Sequence, residues 1–125
     1  MFPRDFYEIV HIIGIAIVFL SLGGIAVNVA SGAVKMTPDT RKLVSTMHGV
    51  GIFFILIGGF GMLARMGFQH GANFPGWLWV KIIAWLILGG SSLLLYRRPS
   101  LARPALLLLP LLAGLAVYMA LYKPF

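Results

Sequence analysis

Apolar residues in this chain gather into four long blocks parted by short polar stretches, and each block is nearly free of charge. The blocks run over about residues 6–30, 43–63, 77–96 and 104–122, each near the roughly 20 apolar residues that take a helix across a bilayer core. The pattern predicts an all-α fold, a four-helix transmembrane bundle whose brief connections make residues 1–125 a single integral membrane domain. In the first connection Lys35, Arg41 and Lys42 face only Asp39, and Thr37-Pro38-Asp39 predicts a turn. The second, from Arg65 to Gly76, is rich in glycine and carries Arg65 and His70, while the third crowds Arg97, Arg98 and Arg103.

Past Glu8 the first block holds one ionisable group, His11. An ionisable side chain inside a span costs free energy and marks a functional-site hypothesis by default. Helical spacing places Glu8 one turn above His11 and Gly14 one turn below it. The ring thus has an acceptor on one side and, on the other, a residue with no side chain, a pattern that suits a flat ligand if Ile15 leans aside. The plainer alternative is a polar residue near the membrane surface that hydrogen-bonds Glu8 or a neighbouring helix.

Composition puts the chain in the membrane class. Hydrophobic residues make up 60% and charged residues 10% of the sequence, against about 25% charged in soluble proteins, and the mean hydropathy is +0.97. There is no room for a soluble catalytic domain. The absence of cysteine excludes a disulfide, a thiolate metal site and covalent attachment of a c-type haem. The first block is expected to be a retained helix rather than a signal peptide, because Asp5 and Glu8 stand at its start and its apolar core is too long.

Charge adds an orientation. Lysine and arginine collect on the cytoplasmic side of membrane proteins, so the first and third connections are expected inside and both termini outside, on the periplasmic face of a multi-pass inner-membrane protein. The net charge of +7 then describes a cytoplasmic collar meeting anionic lipid rather than a nucleic-acid surface. Tyr7, Phe74, Trp77, Trp79 and Tyr122 fall at the outer boundary as an aromatic belt.

The remaining polar residues sort by depth. His11 lies about five residues in from the outer end of helix 1, roughly 7 Å at 1.5 Å per residue, and Lys81 lies at a similar depth on helix 3. His48 enters from the inner end of helix 2, so roughly 15 Å along the membrane normal separates it from His11, which argues against one porphyrin held by both. An outer-half cluster of Glu8, His11, Met62, Arg65, Met66, Lys81 and Met119 combines a metal ligand with cations suited to propionates. The methionines serve equally as apolar filler, although a thioether can be an axial haem ligand. His48, beside Ser45 and Gly49, belongs to a separate inner-half site or supports a helix contact. Gly23-Gly24, Gly49, Gly51, Gly58-Gly59, Gly61 and Gly89-Gly90 lie inside spans, where small residues let helices approach closely or leave room for a cofactor.

The run His11-Ile12-Ile13 with Phe19 beyond it, the opening Trp79-Val80-Lys81 of the third helix, and the ending Tyr122-Lys123-Pro124-Phe125 together resemble the HemJ family of small membrane protoporphyrinogen IX oxidases. The resemblance covers most of the chain. It implies a four-helix bundle with haem b, His11 as haem ligand and Lys81 as an essential basic, catalytic residue; Met62, Arg65 and Met119 of the outer-half cluster are further candidates for cofactor binding by depth alone. The chain departs from the family's pattern after Phe19, where Leu-Ser-Leu-Gly-Gly follows, and at the start of helix 4, which reads Leu-Ala-Arg-Pro.

A self-contained hydrolase is excluded by the scarcity of carboxylates and of any serine or threonine suitably placed beside histidine and acid. A channel or proton path would need more intramembrane charge than Lys81 and two histidines. Two readings stay open. One is a haem-b redox protein, an electron carrier or porphyrinogen oxidase, with a porphyrin or quinone as small-molecule partner. The other is a non-catalytic subunit, a homo-oligomer or part of a larger respiratory or photosynthetic complex, whose histidines serve packing or pigment contact.

Overall fold

The computed structural model describes residues 2–32, 36–66 and 74–125. It contains four helices, α1 (Arg4–Ser31), α2 (Pro38–Arg65), α3 (Gly76–Arg97) and α4 (Ala102–Tyr122), with a single 3₁₀ turn over Pro99–Leu101 before α4. All four are long and apolar enough to cross a membrane, and no strand occurs among the described residues. Lys35 and His70, counted above among the loop charges, lie outside the described residues.

The helices outrun the apolar blocks because their ends are set by capping rather than by hydropathy. The largest difference is at α2, expected from about residue 43. Thr37, Pro38 and Asp39, expected as a turn, instead start the helix. The Thr37 hydroxyl accepts the Thr40 N–H at 3.3 Å, Pro38 fits the first helical position, and Asp39 faces the positive end of the helix dipole. At the other end of the connection, α1 stops on Gly32, whose φ of 63° is a left-handed cap that glycine adopts without strain.

Packing centres on α1 and α2, which share the most extensive contact in the bundle and run antiparallel. Glycine makes that approach possible. A Cβ at Gly14 would lie 2.7 Å from the Ile55 nitrogen, one at Gly51 would lie 3.0 Å from the Gly14 oxygen and the Val18 nitrogen, and one at Gly58 would lie 2.6 Å from the His11 backbone nitrogen. The Tyr7 ring lies against Gly61 in the same register. In lipid there is no hydrophobic drive between helices, so backbone proximity and tight van der Waals contact hold such a pair. Val18, Leu22, Ile25 and Ala26 of α1, Ile55 of α2, and Leu88 and Leu95 of α3 form the main core, with Ala102 at the start of α4. A second cluster, Leu63, Trp77 and Leu78, lies towards the other end with Phe60, Phe74, Ile82 and Met119 against it. Ala102 is the one buried residue of α4, and Leu107, Leu108 and Leu111 point outward.

The two ends of the bundle differ. Phe2, Phe6 and Tyr7 stack at the start of α1, Phe74 meets Trp79 at the start of α3, and Tyr118 meets Tyr122 at the end of α4. These rings share one end, where aromatic residues favour a membrane interface. The opposite end carries Arg41, Lys42, Arg97, Arg98 and Arg103, with the Arg41 guanidinium 4.1 Å above the centre of the Tyr96 ring. Single cysteines introduced at Thr40 and Ser100 are therefore expected to react with an impermeant maleimide from one face, and one at Phe2 from the other. Labelling of Phe2→Cys and Thr40→Cys from the same face would contradict a four-span arrangement.

Candidate functional site

His11 lies on the α1 face that meets α2. Its ring reaches past Gly58 and Gly59, and a Cβ at Gly59 would touch the ring, 3.5 Å from Cε1 and 3.6 Å from Nδ1. The absence of side chains there opens the α2 backbone, and Nδ1 donates to the Ile55 carbonyl at 2.8 Å. A carbonyl can only accept, so Nδ1 holds the proton and the lone pair resides on Nε2. An Nδ1–H donated to a backbone carbonyl is the arrangement that fixes tautomer and ring direction in metal-ligating histidines.

Two details bear on the sequence expectation. Of the two partners expected for the ring, Glu8 or a neighbouring helix, the acceptor is Ile55 on α2, and Glu8 is exposed. The space at Gly14 is not open to a flat ligand, because the α2 backbone at Gly51 and Ile55 occupies it. Glycine was the right signal for close approach, but the approaching group is a helix.

Lys81 is partly buried on α3, one turn beyond Trp77, and its charge reaches both His11 and Lys123. Lys123 adopts a left-handed conformation, φ 47°. Its ammonium donates to the Ala120 carbonyl at 2.6 Å and sits 5.2 Å from the centre of the Trp77 ring. The Trp77 N–H donates to the Phe125 oxygen at 3.0 Å, and the Phe125 ring lies against Gly76. Residues 123–125 thus fold back over the start of α3 and bring a second lysine to the end where Lys81 lies. The expected outer-half cluster did not include Lys123, since depth along a helix does not report a chain reversal after its end.

The other candidates divide. Met119 packs with Leu63, Trp77 and Leu78, an apolar setting. Met62 is partly buried and Arg65 exposed at the end of α2, and Arg65 has a partner of its own. Among the described residues no three His, Asp or Glu side chains converge on a metal-sized site. A metal at His11 would therefore have to bring most of its own donors, as the iron of a porphyrin does. What the chain supplies at His11 is one oriented imidazole, with Lys81 near it.

His48 forms a separate feature. It is 6% exposed, and its Nε2 donates to the Gly89 carbonyl of α3 at 3.3 Å, while Nδ1 is buried with no partner among the described residues. Trp85 returns a parallel bond from α3, Nε1 to the Ile52 carbonyl at 3.0 Å. His48 is ten residues from Gly58, about 15 Å along α2 at ~1.5 Å per residue, so the two histidines do not share a site. The Gly89 carbonyl keeps its place in the α3 ladder if the imidazole is removed, and the orphaned Nδ1 disappears with it. His48→Leu is therefore expected to cost less than about 1 kcal/mol, measured as the thermal midpoint in detergent. A loss several times larger would show that Nδ1 has a partner of consequence.

The class that fold and site define is a multi-pass α-helical membrane protein with a backbone-anchored histidine near one end. No protein-family model matches the chain, and no curated protein or solved structure is detectably similar to it.

Proposed function

We propose that the protein binds haem b at the aromatic end of the bundle, where His11 Nε2 would hold the iron and Lys81 would be the counter-charge for a propionate or an anionic porphyrin. Its work would be electron transfer or porphyrinogen oxidation. The supporting observation is the His11 Nδ1 bond to Ile55, which leaves a lone pair of fixed identity on Nε2. Haem supplies a one-electron centre when bound. The chain's residues hold the ligand ring against Gly58 and Gly59, set positive charge nearby through Lys81 and Lys123, and surround the site with aromatic and aliphatic side chains. Met62, Met66 and Met119 are thioethers on that side, and Arg65 is a further cation there. The basic collar supports an orientation with the opposite end at the cytoplasm and both termini outside the inner membrane.

The visible spectrum of the purified protein, before and after reconstitution with haem, tests this reading. A Soret band is expected, and its absence after reconstitution would overturn it. Lys81→Gln separates a functional charge from a lysine that merely extends its ammonium to the interface. It is expected to weaken haem retention or shift the midpoint potential, because nearby charge tunes the cofactor. His48→Leu is expected to leave both unchanged, so equal effects in a redox titration of the two variants would remove Lys81 from the site.

A second reading, a non-catalytic subunit of a larger membrane complex, is favoured by α4, which leaves Leu107, Leu108 and Leu111 outward along one stretch. Under that reading the His11 bond to α2 is a helix contact and no Soret band forms.

A further inference from the structure

The glycines of α1 fall into two kinds. Gly14 is required by the close passage of α2, whereas a Cβ on Gly23 or Gly24 would meet, beyond its own helix backbone and chain neighbours, no atom of the described residues within 4 Å. Helix packing does not explain glycine at these two positions, and glycine costs a helix about 1 kcal/mol relative to alanine. What these glycines do is leave α1 without side chains along a groove of about 780 Å³.

The groove has an apolar length and a polar mouth. Phe19, Leu20 and Val27 border the trough, and Asn28, Ser31 and Thr40 stand at its end. From Phe19 to Ser31 it follows α1 for about 18 Å at ~1.5 Å per residue, close to the roughly 15 Å of hydrocarbon in one leaflet. Its mouth opens at the basic end of the bundle. Met36 lines it and accepts the Tyr96 hydroxyl on its sulfur at 3.9 Å, and the Tyr96 ring carries the Arg41 guanidinium. Arg41 follows Thr40 and precedes Lys42, and Asp39 is the one acidic side chain at this end.

We propose that this groove holds an acyl chain of an anionic glycerophospholipid, with its phosphate and acidic headgroup at Arg41 and the Thr40 hydroxyl. The trough matches the tail in length and polarity, and the cations at its mouth match the head in charge. The site lies at the opposite end of the bundle from His11 and does not depend on haem binding.

Native mass spectrometry of the detergent-solubilised protein, titrated with phosphatidylglycerol and separately with phosphatidylcholine of the same acyl chains, tests the proposal. The unaltered protein is expected to retain phosphatidylglycerol about fivefold better, the effect of a single arginine near the lipid surface. Gly24→Leu, which projects a side chain into open space, is expected to keep the helical circular dichroism and thermal midpoint while reducing retention of both lipids. Arg41→Gln is expected to lower phosphatidylglycerol to the level of phosphatidylcholine and leave phosphatidylcholine unchanged. Equal retention of the two lipids by the unaltered protein, or undiminished retention by Gly24→Leu, would overturn the proposal. So would conversion of a dimer to a monomer by Gly24→Leu, which would make a second copy of this chain the occupant.

Discussion

His11→Ala is expected to abolish the Soret band of the haem-reconstituted protein while leaving its insertion into the membrane intact. Alanine removes both functions of the imidazole, the Nε2 lone pair and the Nδ1 donor to Ile55. Loss of that interhelical hydrogen bond alone is expected to cost about 1 kcal/mol, which does not dismantle a helix pair held along its length by backbone contact. His11→Gln separates the two roles, because its amide can donate to the Ile55 carbonyl but offers no imidazole to iron. The glutamine variant should regain the thermal stability lost in His11→Ala and remain without a Soret band. A glutamine variant that retains the band would remove His11 as the ligand. Stability unchanged in both variants would mean that the Ile55 bond contributes nothing to holding α1 on α2.

Gly58→Leu should produce the largest loss of stability of any single substitution considered. Even the first atom of a side chain at this position would fall 2.6 Å from the His11 Cβ and backbone nitrogen, and backbone cannot move aside as a flexible side chain can. Overpacking typically costs about 1–3 kcal/mol, and a clash with the backbone of a partner helix belongs at or above the top of that range. Gly24→Ala, which meets nothing, supplies the control and should be neutral or slightly stabilising through helix propensity. Chemical denaturation of helicity in mixed micelles measures both. Similar stabilities for the two variants would show that α1 and α2 do not approach as closely as the structure has them. The haem reading adds a consequence: Gly58→Ala should weaken haem retention as well as stability, since displacing α1 disturbs the His11 bond to Ile55.

The polar candidates picked out in the sequence fall at the ends of α1, α3 and α4 that lie together. His11 near the start of α1, Lys81 near the start of α3 and Lys123 after α4 reach one end because alternating up and down helices return there. Under the haem reading, that placement is what would let a histidine and two lysines, far apart in sequence, face one ligand. Short helix connections make it nearly unavoidable once there are four spans.

By itself the sequence determined the four spans, their alternating direction, and the contrast between an aromatic end and a basic end. Each of these depends on sums over many residues, such as hydropathy over some 20 positions or lysine and arginine over a connection, and such sums tolerate local error. The level of His11 and its separation from His48 were likewise legible, because depth along a helix is a count of residues. Tertiary structure alone decided which atom meets which. In spans that are apolar on nearly every face, hydropathy does not mark the side that packs, so Gly14, Gly51 and Gly58 could not be told from Gly23 and Gly24 until α1 and α2 were in register. The acceptor for His11 proved to be a main-chain carbonyl at Ile55, a group every residue carries and no side-chain pattern announces. The return of Lys123 and Phe125 onto Trp77 and Gly76, and the bond from His48 to Gly89, have the same cause: contacts to backbone are set by the distance between helices, which arises only when all four are packed.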